Sequence, residues 1–376
     1  MTSFSSPKAA HILSLVQTLR GGGVERTLLR LAGDWVEAGR QVTLLMGMRE
    51  GPLVAELPDG VRIVELGTSS FPALRALPAI ARDVQPDLIF CPGNHYTSIA
   101  GFTRLQLGQA APPIVAKISN ALARPDHRFP LAQAYRWWLR RHPRFIDHFV
   151  AMSPAMRDEA ICAMRADPAR LSIIANPAPR LPSGTSPADI PARPLLVGVG
   201  RLELQKRWDR LIDAIARIDD ASTRLIIVGQ GSARPALEAQ IARLGLGQRV
   251  TLIGYRSNPA PYLAAASAVV LTSDFEGVPG VLREALALGT PVVATESSVA
   301  VREIIADPTR GTIVPIGDQM ALVAALNYWL GPDVTRPMPV APAGEDAAKA
   351  YLALFDRLVR ERRDPVRTRD RRSKRR

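Results

Sequence analysis

Two runs of alternating apolar strands and amphipathic helices, divided by one proline-rich break, restrict the fold open to this chain more than any other feature. In the first run, strands are expected near residues 12–16, 42–46, 62–66, 88–91, 114–118 and 149–152. Helices are expected near residues 24–38, 73–84, 97–109, 131–141 and 154–164. Short links between the two element types call for a parallel sheet covered on both faces. The break is NPAPRLPSGTSPADIPARP, residues 176–194, rich in residues that end helices and strands. The second run has strands near 195–199, 225–228, 250–252, 268–271, 291–294 and 312–314. Its helices fall near 208–218, 234–244, 260–266, 280–288, 300–305 and 319–330. The expected fold is therefore α/β, with two doubly wound Rossmann-like domains at residues 1–178 and 194–344 and a linker at 179–193. A helix at 345–360 and a basic tail at 361–376, expected to be disordered, follow.

Composition fits this division, since 376 residues suffice for two domains of ordinary size. Two cysteines, Cys91 and Cys162, cannot build a disulfide framework, so a reducing cytoplasm is expected. No apolar run approaches the roughly 20 residues of a membrane span. The apolar stretch near the start is short and flows into a glycine-rich turn, as a first strand does and a signal peptide does not. The net charge of +13 draws the chain towards anionic surfaces or substrates.

The chemistry gathers in SDFEGVPGVLREALALGTPVVAT, residues 273–295, which reads as loop, helix, turn and strand. Pro279 suits the first helical position, where its missing N–H costs nothing. Val281, Leu282, Ala285, Leu286 and Leu288 form an apolar stripe, and Gly289 stops the helix. The free N–H groups around Gly280 and Val281 make an anion site. Glu276 stands just before the helix and Glu284 on it. A phosphate cradle between two acidic hydrogen-bond acceptors matches a nucleotide sugar. From spacing alone, however, Glu276 reads more simply as a dipole-compensating cap and Glu284 as a solvated side chain.

The run from Glu276 to Ala294 resembles the EGxPxxxxEAxAxGxPVVA segment of the retaining glycosyltransferases of family four, which have the GT-B fold. That resemblance implies two domains facing across a cleft that holds the active site, with the terminal helix crossing back to the first domain. It implies that Glu276 binds hydroxyls of the transferred sugar and Glu284 the ribose. GRLELQK, residues 200–206, is similar to the family's GRLxxxK, whose Arg and Lys hold the leaving diphosphate; here these are Arg201 and Lys206. Without the resemblance either would pass as a surface cation. GGGVERTLLRLA, from Gly21, resembles the first-domain loop that borders donor phosphates and acceptor, which makes Gly22 and Gly23 binding positions. A glycine run by itself is only a tight turn. VGQGS, residues 228–232, lacks the third glycine of a dinucleotide fingerprint and is read as structural. Tyr255, after the next strand, sits where relatives flank the nucleobase, and reads as a base-packing or a surface tyrosine.

The implied function is a retaining, metal-independent transfer of a hexose from a nucleotide-diphosphate sugar, of UDP or GDP type, to a glycan or lipid-linked acceptor. Its setting would be surface polysaccharide or glycolipid synthesis, with no cofactor beyond the donor. No DxD element or histidine pair suggests a metal; Arg201 and Lys206 would replace the divalent ion. Two departures from the family stand out. Many relatives carry a histidine after the fifth strand, where this chain has Ser119 and Asn120, and Asn120 cannot act as a base. His95, in CPGNHYTS, either compensates as a substrate-binding residue or is a plain loop residue. The segment ESSVAVREII, residues 296–305, lacks a glycine-rich turn, which leaves the donor hexose open.

Residues 124–144, RPDHRFPLAQAYRWWLRRHPR, interleave arginine with Phe129, Leu131, Tyr135, Trp137, Trp138 and Leu139. This suits either the headgroup boundary of an anionic bilayer or a packed helix with solvated arginines. The expected location is cytoplasmic, peripheral on the inner face of the cell membrane. A catalytically silent GT-B protein that binds a nucleotide sugar or a partner glycosyltransferase is the competing reading, favoured by the missing histidine and opposed by the four intact charged positions. Nucleic-acid binding is not expected, because no aromatic stacking platform accompanies the basic tail.

Overall fold

The computed structural model describes residues 8–124, 127–179, 190–192 and 194–363. Most of the expected linker, and the tail beyond residue 363, lie outside them. The chain divides into two compact units.

The first unit holds residues 8–119, 129–177 and 343–363 among those described. Its strands are β1 (His11–Val16), β2 (Gln41–Met46), β3 (Arg62–Glu65), β4 (Leu88–Cys91), β5 (Ile114–Lys117), β6 (His148–Ala151) and β7 (Leu171–Ile173). They form one parallel sheet in the order β3-β2-β1-β4-β5-β6-β7. The helices are α1 (Gly23–Glu37), α2 (Leu77–Val84), α3 (Thr97–Leu107), α4 (Leu131–Leu139) and α5 (Pro154–Met164). Where one helix was expected over 73–84, a 3-10 turn at Phe71–Ala76 precedes α2. Pro78 is the reason: it has no N–H to bond backwards, so an α-helix can begin around it but not run through it.

A helix at Ala347–Arg363, three residues longer than expected at its end, packs on this unit. Its Tyr351 and Phe355 meet Trp35 of α1 and Phe90 of β4 at ring separations of 5.3–6.0 Å. All four rings are buried, and fully burying one such side chain contributes about 2 kcal/mol. Asp356 adds bonds to Ala9 N at 2.8 Å and Arg40 at 2.9 Å, which fixes the helix along its length.

The second unit holds residues 120–128 and 178–342, as far as these are described. Its strands are β8 (Leu195–Val199), β9 (Arg224–Val228), β10 (Val250–Gly254), β11 (Ala268–Leu271), β12 (Val292–Thr295) and β13 (Gly311–Val314). Their order, all parallel, is β10-β9-β8-β11-β12-β13. The helices are α6 (Trp208–Ile215), α7 (Arg234–Arg243), α8 (Ala260–Ala265), α9 (Gly280–Ala287), α10 (Val299–Ile304) and α11 (Gln319–Leu330). Strand pleating sends alternate residues to opposite layers. Leu196 and Val270 pack with Trp208, Leu211 and Trp329, while Val197, Val269 and Leu271 pack with Leu282 and Leu286.

Segment 120–128, read from sequence as part of the first domain, groups with the second unit instead. Ala121 N donates to Glu276 O at 2.8 Å, and Arg124 stands over the ring of Phe275 at 4.0 Å. These partners are more than 150 positions away, so no local pattern reveals them.

Candidate active site

Both sheets reverse their strand order once: between β1 and β4 in the first, and between β8 and β11 in the second. In open α/β sheets, ligands bind outside the carboxyl ends of the strands at such a point. In the second unit, the loops leaving β8 and β11 carry Arg201, Lys206 and Glu276.

These two loops are sewn together. Thr272 Oγ1 donates at 3.0 Å to the carbonyls of Lys206 and Arg207, and Asp274 N donates to Gln205 O at 2.9 Å. Gln205 Nε2 donates to Phe275 O at 2.6 Å. Arg207 takes a left-handed backbone, φ 51°, which turns the chain sharply into α6. Its guanidinium bonds Asp209 and reaches Asp274 at 3.3 Å, and Arg210 meets Asp274 at 2.5 Å. Hydrogen bonding to Asp209 holds Arg207 more firmly charged than usual. Burial opposes ionisation of Asp209, but the bond to Arg207 and the charges of Arg207 and Arg210 together outweigh it, and its pKa lies below the ordinary value.

Within this frame, Lys206 Nζ donates to Glu276 Oε1 at 2.6 Å, and Ser273 Oγ donates to the same oxygen at 2.6 Å. Their side chains are 15% and 12% exposed, so the pair is largely withdrawn from water. Glu276 N bonds Ser297 O at 2.8 Å, and Ser298 Oγ bonds Gly277 O at 2.6 Å. The segment without a glycine-rich turn thus buttresses the Glu276 turn directly. Arg201 is exposed, and among the described residues its guanidinium has no hydrogen-bond or ion-pair partner.

The helix after Glu276 starts one residue later than expected: Pro279 is its N-cap and Gly280 its first residue. Pro279 keeps ψ near 106°, outside the helical range, while its φ of −68° suits the entry. Leu282 N bonds Pro279 O, which leaves the N–H groups of Gly280 and Val281 without a partner inside the helix. A Cβ on Gly280 would lie 3.8 Å from Glu284 Oε1, so Glu284 leans back to the same helix start. Tyr255 is half-buried just after β10. The VGQG turn is structural, as read: a Cβ on Gly229 would meet Gly200 O at 1.9 Å, and one on Gly231 would meet Leu202 O at 2.3 Å. A cavity of about 470 Å³ on the flank of these loops is lined by Leu204, Arg207, Asp209, Gln240 and Phe275, and omits Lys206 and Glu276.

The first unit holds Gly22, Gly23 and His95 at its own switch point. Gly21 has φ 102°, which favours glycine, whereas a Cβ on Gly23 would meet nothing within 4 Å. His95 is exposed, its ring 4.4 Å from Phe71. The next loop is tied in by Asn94, whose Oδ1 accepts from Ser119 N at 2.8 Å. Asn120 folds its side chain onto Ala121 N at 2.9 Å and counts with the second unit. On α4, Trp138 packs against Phe145 and Leu139 is buried, but Trp137 is 57% and Leu131 56% exposed, and Phe129 just before the helix is 78% exposed. Arg141 covers the Trp137 ring at 4.3 Å. Among the described residues no helix is long and apolar enough to cross a membrane, and no three metal-ligating side chains cluster.

Sequence reasoning missed Ser273, Asp274, Gln205 and Arg207. Gln205 and Arg207 flank Lys206, but they and Asp274 bond across to the other loop, whereas Ser273 bonds Glu276 three positions along its own loop.

The family follows from this frame. Residues 21–179 match Glycosyltransferase Family 4 and residues 193–331 match Glycosyl transferases group 1. The chain belongs to this glycosyltransferase family and has the GT-B fold. Its fold is similar to that of HepE from Anabaena, solved with UDP and glucose, with a TM-score of 0.70 at 22% identity over 94% of this chain and 98% of that one. It is similar also to WaaG, a glycosyltransferase involved in lipopolysaccharide biosynthesis, with a TM-score of 0.67 at 19% identity over 94% and 98%. In sequence it is 32% identical, over 43% of each chain, to the 4-alpha-N-acetylgalactosaminyltransferase of Campylobacter jejuni that acts on a diphospho-undecaprenol-linked sugar. It is 29% identical to the lipopolysaccharide 1,6-galactosyltransferase of Salmonella typhimurium, over 53% of this chain and 56% of that one. The chain spans about half the length of the curated relatives it matches.

Proposed function

We propose that this protein is a retaining glycosyltransferase that moves a hexose from a nucleotide-diphosphate sugar to a glycan or lipid-linked acceptor. The observation that carries the reading is the Lys206–Glu276–Ser273 cluster at the second sheet's switch point, with Arg201, which has no hydrogen-bond or ion-pair partner among the described residues, on the same loop as Lys206. Cleaving the bond from sugar to phosphate leaves negative charge on the departing diphosphate. Arg201, Lys206 and the N–H groups of Gly280 and Val281 are suited to hold that charge, each such contact being worth on the order of 3 kcal/mol. Lys206 has three donors, so it can keep Glu276 and still serve a phosphate. Glu276 then accepts from hydroxyls of the sugar and Glu284 from the ribose, while Tyr255 packs against the base. With Asn120 in place of a basic side chain, the leaving phosphate takes the acceptor's proton, which fits front-face attack and retention. Two cations at the diphosphate make a divalent ion dispensable. UDP in the HepE structures and the galactosyl and galactosaminyl relatives support a UDP-hexose donor.

The exposed Phe129, Leu131 and Trp137, set among Arg128, Arg136, Arg140 and Arg144, support peripheral contact with an anionic bilayer at its cytoplasmic face. The test is a thermal-shift and donor-turnover panel of UDP- and GDP-sugars in EDTA. Stabilisation and turnover by at least one UDP-hexose are expected. A strict requirement for Mg²⁺ would contradict the cationic diphosphate site.

A further inference from the structure

The two carboxylate oxygens of Glu276 are in different states. Oε1 accepts from Lys206 Nζ and from Ser273 Oγ, both at 2.6 Å. Two donors fill the lone-pair positions of one carboxylate oxygen. Oε2 has no hydrogen-bond partner among the described residues, and it is not shut away from water. The carboxylate therefore has an anchored side and an accepting side, and its two donors decide which is which.

Those donors differ in how firmly they are held. Lys206 reaches Glu276 along a four-carbon stem, flexible by nature. The stem runs close over Gly200, where a Cβ would lie 3.1 Å from Cε. Its ammonium is also the group suited to the leaving diphosphate. Ser273 is fully buried, two positions after β11. Its carbonyl accepts from Thr295 Oγ1, at the end of β12, at 2.6 Å. Its neighbours Thr272 and Asp274 are bonded to the Lys206 loop. The hydroxyl is one rotatable bond from this pinned backbone, and its single proton is committed to Glu276. Packing alone does not call for that hydroxyl, because alanine would occupy the place without burying a polar group.

We propose that Ser273 is a positioning residue for the transfer: it holds Oε1 of Glu276 so that Oε2 faces the hydroxyls of the donor sugar while Lys206 serves the diphosphate. This rests on the reading that Glu276 receives the transferred sugar. A carboxylate held by Lys206 alone would turn about its last, soft torsion once the ammonium moved towards a phosphate.

The full chain is compared with Ser273→Ala, Glu276→Gln and the double variant, using UDP alone and whichever UDP-hexose the donor panel identifies. The readouts are melting temperature, UDP affinity by calorimetry, and kcat and KM. Ser273→Ala keeps the bond from Lys206 to Glu276 and should melt within roughly 5 °C of the wild type. It should bind UDP within about twofold of the wild type, because UDP carries no transferred sugar for Glu276 to hold. Its kcat should fall by roughly tenfold, since a misplacement of about 1 Å in a positioned group is costly. In the Glu276→Gln background the same change should cost less than about twofold, because both act on one carboxylate. An unchanged kcat in Ser273→Ala would overturn the proposal, as would two effects that simply multiply. A loss of UDP affinity or of melting temperature in step with turnover would overturn it too, making Ser273 a structural residue. A wild type that turns over no nucleotide sugar would end the enzymatic reading and the proposal with it. An active wild type matched by Ser273→Ala would end the proposal alone.

Discussion

The two switch points are built in opposite ways. In the second unit, the loops after β8 and β11 are joined by hydrogen bonds from Thr272, Asp274 and Gln205, and the charges pair at short distance. In the first unit, the turn after β1 is three glycines: Gly21 has φ 102°, and a Cβ on Gly23 would meet nothing within 4 Å. One site is rigid because its polar groups satisfy one another. The other is a glycine turn whose backbone side chains leave partly open. A developing diphosphate charge rewards a preorganised cradle, whereas a turn that must admit substrate needs backbone approach more than side chains.

The contrast is broken most forcefully at Lys206. Lys206→Ala should lower donor cleavage by about 100- to 1000-fold, as loss of one preorganised charge contact does, in steady-state assays with saturating donor. Equal activity would make the second cradle dispensable.

Lys117, buried at the end of β5 in the first unit, adds a test through pH. Its folded pKa, about 7, lies below the ordinary 10.5, so the unfolded chain binds more protons between those values and wild-type stability rises with pH across that window. Lys117→Met lacks this term. It should therefore gain on the order of 4 kcal/mol over the wild type at pH 7 and below, and the gain should shrink towards pH 10.5 in denaturant titrations. A gain independent of pH would remove the buried charge from the account.

The glycines offer a paired test. Gly229→Ala puts a Cβ 1.9 Å from Gly200 O and should cost about 3 kcal/mol of stability. Gly23→Ala meets open space and should leave stability unchanged while slowing transfer by roughly tenfold, measured by unfolding and kinetics side by side. Should both behave alike, the division between structural and substrate-facing glycines is lost. The smallest effect is expected at Trp137, where replacement by Ala should weaken binding to phosphatidylglycerol vesicles about fivefold in a sedimentation assay, without changing turnover of a soluble donor.

The same contrast explains what the sequence disclosed. Strand and helix positions were legible because apolar alternation is local: β4, β8 and β11 fall on the expected residues, and most other ends shift by one to three. The breakdown of 73–84 came from Pro78, whose missing N–H acts on a bond the apolar stripe does not show. Lys206 and Glu276 were legible because each lies in an unbroken motif. Asp274 and Gln205 were not, since their roles depend on the meeting of two loops about 70 residues apart. Lys117 was the least legible. It sits in IVAKIS, an ordinary strand end, and only the burial of its ammonium sets it apart. Segment 120–128 went to the wrong unit for a similar reason, because its partners Glu276 and Phe275 lie far along the chain.

The most direct measurement is a crystal structure of the protein grown with UDP in EDTA. The account predicts the diphosphate within hydrogen-bonding distance of Lys206 Nζ, the Arg201 guanidinium and the N–H groups of Gly280 and Val281. A diphosphate bound elsewhere, with Arg201 and Lys206 turned to bulk water, would contradict it.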